Sequence, residues 1–175
     1  RVPIVKGMGG VGKSTLAREY ATRFKDTYQG VIWLNAETPT TLANDLEQYK
    51  TRFGCPSDPL GTKALVQTVL AALPPGWLVI YDNVPGLFYE HGTDETKQTD
   101  PLEDYLPEPG RAHVLMTSRF ATWPKGYQKV SLDELPTKDL KSDGVRLLIQ
   151  EAATDDAWAQ IPDRIVGEDP RLDHL

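Results

Sequence analysis

The stretch Gly7-Met8-Gly9-Gly10-Val11-Gly12-Lys13-Ser14 decides the fold of this chain. It satisfies the pattern G-x-x-x-x-G-K-[ST], in which backbone amides cradle phosphates, the lysine reaches the β/γ-phosphates and the serine hydroxyl binds Mg²⁺. The apolar run Val2-Pro3-Ile4-Val5 precedes it, and a helical pattern follows from Lys13. A helix start adds partial positive charge at the phosphates. The stretch therefore predicts a phosphate-binding loop, with Thr15 as a further contact.

Apolar runs alternate with helical patterns along the rest of the chain. Such alternation favours an α/β domain with a mainly parallel sheet and right-handed crossovers. The predicted strands lie at residues 2–6, 31–35, 77–82, 113–117 and 128–132. The predicted helices lie at residues 13–25, 40–53, 65–73 and 138–153, with a short one at 101–106. Thr40 or Thr41 is the expected N-cap of the second helix, and residues 89–101 are expected to form an irregular surface loop.

Polar residues follow three of the predicted strands. They are the loop itself, Asp82, and the triplet Thr117-Ser118-Arg119. Ligands of parallel sheets bind beyond the carboxyl ends of the strands, so these residues are expected to converge on one ligand. Asp82 is predicted to hold Mg²⁺ opposite Ser14, as a carboxylate at this place does in other phosphate-loop proteins. Arg119 suits a phosphate because its planar guanidinium donates in pairs.

Composition narrows the classes of function. The chain has 175 residues, a net charge of −6 and one cysteine, Cys55. The negative charge disfavours a general nucleic-acid surface, and one cysteine forms no internal disulfide, so a cytoplasmic location is expected. The apolar runs are too short for a transmembrane helix or a secretory signal. His91, His113 and His174 lack metal-ligand spacing. The start at Arg1 suggests a segment of a longer protein.

These motifs together resemble the NB-ARC nucleotide-binding domain of STAND-type signalling ATPases. That group includes plant disease-resistance receptors of the NLR class, apoptosome scaffolds and many bacterial and fungal regulators. The resemblance covers roughly residues 2–153. The matching segments are residues 7–15, 31–35, 78–84, 113–119 and 130–136.

The resemblance implies a particular architecture. The expected fold is a three-layer P-loop NTPase, with a five-stranded, mainly parallel sheet in the order 5-1-4-3-2. The strand that leads to Arg119 would lie between the phosphate-loop strand and the Asp82 strand. Residues 1–136 would form the nucleotide-binding core, and residues 137–175 a truncated start of the helical ARC subdomain.

The resemblance also implies a function. Lys13 and the loop amides would hold the phosphates of ATP or ADP, Ser14 and Asp82 would bind Mg²⁺, and Arg119 would sense the γ-phosphate. Lys13, Asp82 and Arg119 would then support slow ATP hydrolysis. The implied role is an ATP/ADP switch in innate immunity or programmed cell death. Its implied partners are flanking effector and sensor-repeat domains and, with ATP, further copies of the chain.

Departures from the family pattern leave two interpretations open. Asn83 stands where many members carry a second acid after the Walker B aspartate, and Glu37 is an alternative base that no sequence pattern supports. The adenine-contacting segment would precede Arg1, and residues 167–172 match the family's Gly-Leu-Pro-Leu motif poorly. The chain is therefore either a slow ATPase switch or a non-hydrolysing, nucleotide-stabilised interaction module.

Other nucleotide-binding classes fit less well. A partition-type ATPase needs a lysine where Met8 stands, and a GTPase needs an Asn-Lys-x-Asp motif that the sequence lacks. A small-molecule kinase is disfavoured because no basic lid segment follows the core.

Overall fold

A computed structural model describes residues 2–56, 61–91 and 98–132 of the chain. The predicted helix at 138–153, the predicted second domain at 137–175 and the motif residues 133–136 lie outside the described residues.

Five parallel strands form the central sheet. All of their pairings are parallel, and the order across the sheet is β2-β3-β6-β1-β7. The described residues contain seven strands in total: β1 (Val2–Lys6), β2 (Gly30–Asn35), β3 (Trp77–Val84), β4 (Phe88–His91), β5 (Gln98–Pro101), β6 (Ala112–Ser118) and β7 (Tyr127–Ser131). The expected α/β class with a mainly parallel sheet is confirmed.

A hairpin appears where the sequence predicted an irregular loop. Strands β4 and β5 pair antiparallel, and the buried Tyr89 packs edge-on against the buried Tyr105 at 4.9 Å between ring centroids. This aromatic anchor lets a short, polar segment hold a regular structure. The expected order 5-1-4-3-2 counts five strands, whereas the described residues contain seven, so it differs from the observed order β2-β3-β6-β1-β7. In the structure, β6 pairs with β1 on one side and with β3 on the other.

Helices cover both faces of the sheet, which gives three layers. The helices are α1 (Lys13–Phe24), α2 (Pro39–Glu47), α3 (Tyr49–Arg52) and α4 (Thr62–Ala72), with 3-10 turns at Lys25–Thr27 and Leu102–Tyr105. Adjacent residues of β1 point to opposite faces. Ile4 belongs to the core that α2 and α4 cover, and Val5 to the core that α1 covers.

The second predicted helix begins earlier than expected and is interrupted. Thr38 is the N-cap of α2: its hydroxyl accepts a hydrogen bond from the Thr41 amide at 3.1 Å, and Pro39 follows at the first helical position. Thr40 and Thr41, the expected caps, are instead inside the helix. Proline favours the first turn because it lacks an N–H to satisfy, which explains the choice among three threonines. The predicted single helix divides at Gln48 into α2 and α3.

Gly30 is required where β2 meets β3. A β-carbon at this position would lie 2.4 Å from the ring of Trp77, its partner in the strand register. Trp77 is only 5% exposed and belongs to the core. The indole thus occupies the space that any side chain at position 30 would need.

Candidate functional site

The segment between β1 and α1 forms a glycine-dependent loop at the carboxyl edge of the sheet. Gly10 and Gly12 have φ angles of 78° and 98°, a left-handed conformation that residues with a β-carbon rarely adopt. A β-carbon at either position would meet no atom within 4 Å. Backbone conformation therefore requires these two glycines. Met8 is 73% exposed and Thr15 is exposed, so the outer surface of the loop is open, and their contact with phosphate stays a prediction.

Lys13 lies inside the curve of this loop. Its side chain is only 6% exposed, and its ammonium group donates hydrogen bonds to the carbonyls of Gly7 at 2.9 Å and Met8 at 2.7 Å. The loop thus places one positive charge next to its own backbone, where the sequence pattern expects the phosphates to bind. Its predicted role in phosphate binding fits this position and is not tested by it.

Ser14, Asp82 and Thr117 form one hydrogen-bonded group. The Ser14 hydroxyl donates to Oδ1 of Asp82 at 2.8 Å, and the Thr117 hydroxyl donates to the same oxygen at 2.5 Å. Asp82 is 9% exposed and Thr117 is fully buried. The structure therefore brings together the loop serine and the strand acid that the sequence paired, 68 residues apart.

The spacing of these oxygens fits Mg²⁺. Octahedral Mg²⁺ holds oxygen ligands at about 2.0–2.1 Å, so two adjacent ligands lie about 2.9 Å apart. The 2.8 Å between the Ser14 hydroxyl and Oδ1 of Asp82 is an ordinary hydrogen-bond length. It is also compatible with two adjacent Mg²⁺ ligands. Within the described residues no three His, Cys, Asp or Glu side chains gather around one point.

A bulge shapes the end of β3. The register with β6 shifts between Tyr81 and Val84, and Asn83 has a φ angle of 65°, the one positive φ of a non-glycine residue among the described residues. Asparagine tolerates this conformation better than most residues do. The backbone amide of Asn83 donates to the Thr117 hydroxyl at 3.0 Å. Thr117 therefore holds both the acid and the bulge.

The role of Thr117 was not predicted individually. Sequence reasoning grouped it with Ser118 and Arg119 as a polar triplet that senses phosphate. In the structure, the buried Ser118 hydroxyl donates to the Val84 carbonyl at 2.6 Å and accepts from the Phe120 amide at 2.9 Å. Only Arg119 of the three is exposed. A threonine ending a buried strand beside a strand that ends in Asp was the available signal for this role.

Arg119 lies next to the phosphate loop. A β-carbon built on Gly9 would be 3.9 Å from Nε of Arg119 and 4.0 Å from its Cζ. The three predicted strand-end features, the loop, Asp82 and Arg119, thus meet at one edge of the sheet. The catalytic and sensor roles of Lys13, Asp82 and Arg119 remain predictions.

A cavity of about 270 Å³ opens beside Arg119. It is lined by Glu37, Asn83, Val84, Pro85 and Arg119, which follow or end β2, β3 and β6. Of the described residues that line it, one is acidic and one is basic. A neighbouring cleft of about 480 Å³ shares Glu37 and Pro85 and extends past the exposed rings of Phe88 and Phe120.

Cys55 and His113 play no part at this edge. The Cys55 thiol donates to the carbonyl of Thr68 in α4 at 3.9 Å, and burial raises the pKa of that thiol, which disfavours the reactive thiolate. The His113 ring packs edge-on against Tyr28 at 5.4 Å between ring centroids.

Comparisons with known proteins point to one distant relative. The chain is 28% identical over 157 residues to a protein described as "Nucleotide-binding leucine-rich repeat (NLR)-like protein" from Hyaloscypha variabilis. The match covers 82% of this chain and 16% of that protein, so the relative carries much sequence beyond the matching part. No protein-family model matches the chain, and no solved structure matches it. The similarity supports a distant relation to an NLR-like protein, and the assignment to NB-ARC stays a prediction.

The structure also bears on the membrane. Among helices of the described residues, none has the length and the apolar character needed to cross a bilayer.

Proposed function

We propose that this domain binds ATP or ADP with Mg²⁺ at the loop of residues 7–14 and acts as the nucleotide-dependent switch of a longer, NLR-like signalling protein. The observation that carries the proposal is the contact of Ser14 with Asp82 beside Lys13. This contact joins a loop that matches the phosphate-binding pattern to an acid whose oxygen could share Mg²⁺ with the Ser14 hydroxyl. The relative from Hyaloscypha variabilis is described as a nucleotide-binding protein, which supports the same function.

In this proposal the loop amides and Lys13 bind the β- and γ-phosphates. Lys13 then exchanges its hydrogen bonds to the Gly7 and Met8 carbonyls for phosphate oxygens, so no new buried charge is left unpaired. Ser14 and Asp82 hold Mg²⁺, and Arg119 contacts the γ-phosphate from the side of Gly9. Because Arg119 is exposed, water solvates its guanidinium, and holding this charge in place without nucleotide costs little desolvation free energy.

Nucleotide binding is tested by thermal unfolding with and without Mg-ATP or Mg-ADP. At a nucleotide concentration about 100 times Kd, binding stabilises the folded state by about 2.7 kcal/mol. That corresponds to a rise in Tm of roughly 5–11 °C for a chain of this size class. We expect Lys13→Ala to abolish the rise.

Lys125→Ala is the matched control, because Lys125 is an exposed lysine in the turn before β7 and its loss changes net charge equally. It should keep the wild-type shift. An unchanged Tm of the wild-type protein in millimolar nucleotide, or equal shifts in wild type and Lys13→Ala, would refute the proposal.

A second candidate is a module that binds nucleotide and does not hydrolyse it. The observation that favours it is Asn83, whose side-chain amide cannot accept a proton as a carboxylate does. Release of phosphate from ATP by wild type and by Lys13→Ala separates the two. Equal, background rates in a protein that binds ATP would favour the non-hydrolysing module.

A further inference from the structure

The segment that follows β2 is held firmly beside the candidate site. The Asn35 amide donates to Oδ2 of Asp45 at 2.7 Å, and the Ala36 amide donates to the Asp82 carbonyl at 2.7 Å. The Glu37 amide in turn donates to Oδ1 of Asn35 at 3.2 Å. The backbone at Glu37 is therefore fixed relative to the strand end that carries Asp82.

A second anchor holds this segment from the opposite side. The buried Tyr89 hydroxyl, in the hairpin strand β4, donates to the Ala36 carbonyl at 3.0 Å. Both polar groups of the Ala36 backbone are thus bonded, one to β3 and one to the hairpin. Such a segment can present the next side chain in one place, which a preorganised site requires.

Glu37 lines the cavity of about 270 Å³ together with Arg119. Arg119 also lies beside Gly9 of the loop, so the cavity adjoins the place where the terminal phosphate of a bound nucleotide would lie. Among the described residues, no ion pair within 4.0 Å joins the Glu37 carboxylate to this guanidinium. The carboxylate is exposed and accessible to water.

Glu37 is the only acid among the described residues that line this cavity. Asn83 follows Asp82 directly, and its side-chain amide cannot accept a proton as a carboxylate does. Asp82 itself already accepts hydrogen bonds from Ser14 and Thr117. Hydrolysis at this site needs a group that orients or deprotonates water.

We propose that Glu37 is this group, an inference that rests on the proposed binding of ATP. Its carboxylate accepts a proton from a water molecule while the water oxygen forms a bond to the γ-phosphorus. The bond between that phosphorus and the β–γ bridging oxygen breaks, and ADP leaves with the electron pair. The proton then passes from Glu37 to solvent. Arg119 offsets the charge on the transferred phosphoryl group.

The test compares Glu37→Gln with Glu90→Gln in the 175-residue chain. Glu90→Gln removes the same charge as Glu37→Gln. Glu90 is an exposed acid that lines the neighbouring larger cleft but not the smaller cavity, so it serves as the matched control. Conversion of bound ATP to ADP is followed under single-turnover conditions with excess protein. The rise of Tm with Mg-ATP is measured in parallel for each protein.

We expect Glu37→Gln to slow conversion by about 100-fold, the usual size of a general-base contribution, and to keep the wild-type rise in Tm. Glu90→Gln should convert ATP at the wild-type rate. Equal rates in wild type and Glu37→Gln would overturn the role of Glu37 and leave nucleotide binding intact. A wild-type protein that binds ATP but does not convert it to ADP would also overturn the role of Glu37 and leave nucleotide binding intact. A wild type without a Tm shift would instead remove the proposed function, and this inference with it.

Discussion

Replacing Thr117 by valine tests whether the buried threonine holds the acid and the bulge together. Valine has nearly the same shape and keeps the buried methyl group, but it removes the hydroxyl. The substitution therefore deletes the hydrogen bond to Oδ1 of Asp82 and leaves the Asn83 amide without its acceptor. Packing at this fully buried position changes little because valine and threonine have nearly the same volume.

The expected cost follows from these two bonds. A hydrogen bond to a charged group contributes about 1.5–3 kcal/mol, and a neutral one about 0.5–1.5 kcal/mol. Thr117→Val should therefore lower the free energy of unfolding by about 2–4.5 kcal/mol, measured by urea unfolding followed by circular dichroism. Thr117→Ser is the matched control, because it keeps the hydroxyl and loses one methyl group, a change of about 1 kcal/mol.

A double-mutant cycle with Asp82→Asn isolates the contact itself. Asparagine keeps an acceptor oxygen but loses the charge, so the cost of Thr117→Val should fall by about 1 kcal/mol in that background. An equal cost in both backgrounds would show that Thr117 stabilises the fold without the Asp82 contact. A smaller loss from Thr117→Val than from Thr117→Ser would refute the reasoning altogether.

Two further predictions concern the core. Gly30→Ala should lower the free energy of unfolding in urea by roughly 1–3 kcal/mol, because the Trp77 ring must move. Gly126→Ala is the control, since a β-carbon there meets no atom within 4 Å. Equal losses of stability in the two variants would contradict the steric argument. Stability should also fall as the pH rises above about 10, because tyrosines of the unfolded chain ionise there while burial raises the pKa of their folded counterparts. These tyrosines are Tyr20, Tyr28, Tyr81 and Tyr89. An unchanged urea midpoint between pH 9 and pH 11 would contradict this.

The phosphate-side elements were readable because their signals are local. The glycines, Lys13 and Ser14 occupy consecutive positions, and Asp82 ends a run of apolar residues. A parallel sheet brings such strand ends to one edge, so the contact between Ser14 and Asp82 followed from the class of fold.

The hairpin and the fixed position of Glu37 could not be read in the same way. Both depend on hydrogen bonds between residues far apart in sequence, such as Tyr89 to the Ala36 carbonyl, 53 positions away. Nothing near Glu37 in the sequence indicates that Arg119 shares its cavity. The start of α2 is a different case. Pro39 is a local signal for an N-cap at Thr38, whereas the prediction placed the cap at Thr40 or Thr41.

The hydrogen bond from Tyr89 to the Ala36 carbonyl links the hairpin of β4 and β5 to the candidate site. The hairpin exposes Phe88, which is 55% accessible to solvent. Its Tyr89 is bonded to Ala36, the residue before Glu37. Lys63 of α4, paired with Asp100 at 3.1 Å and Asp104 at 2.7 Å, ties the base of the hairpin to the domain. A displacement of β4 would thus also move the Ala36 carbonyl, to which the Tyr89 hydroxyl donates. The hairpin of β4 and β5 therefore connects the exposed surface at Phe88 to the residue that precedes Glu37.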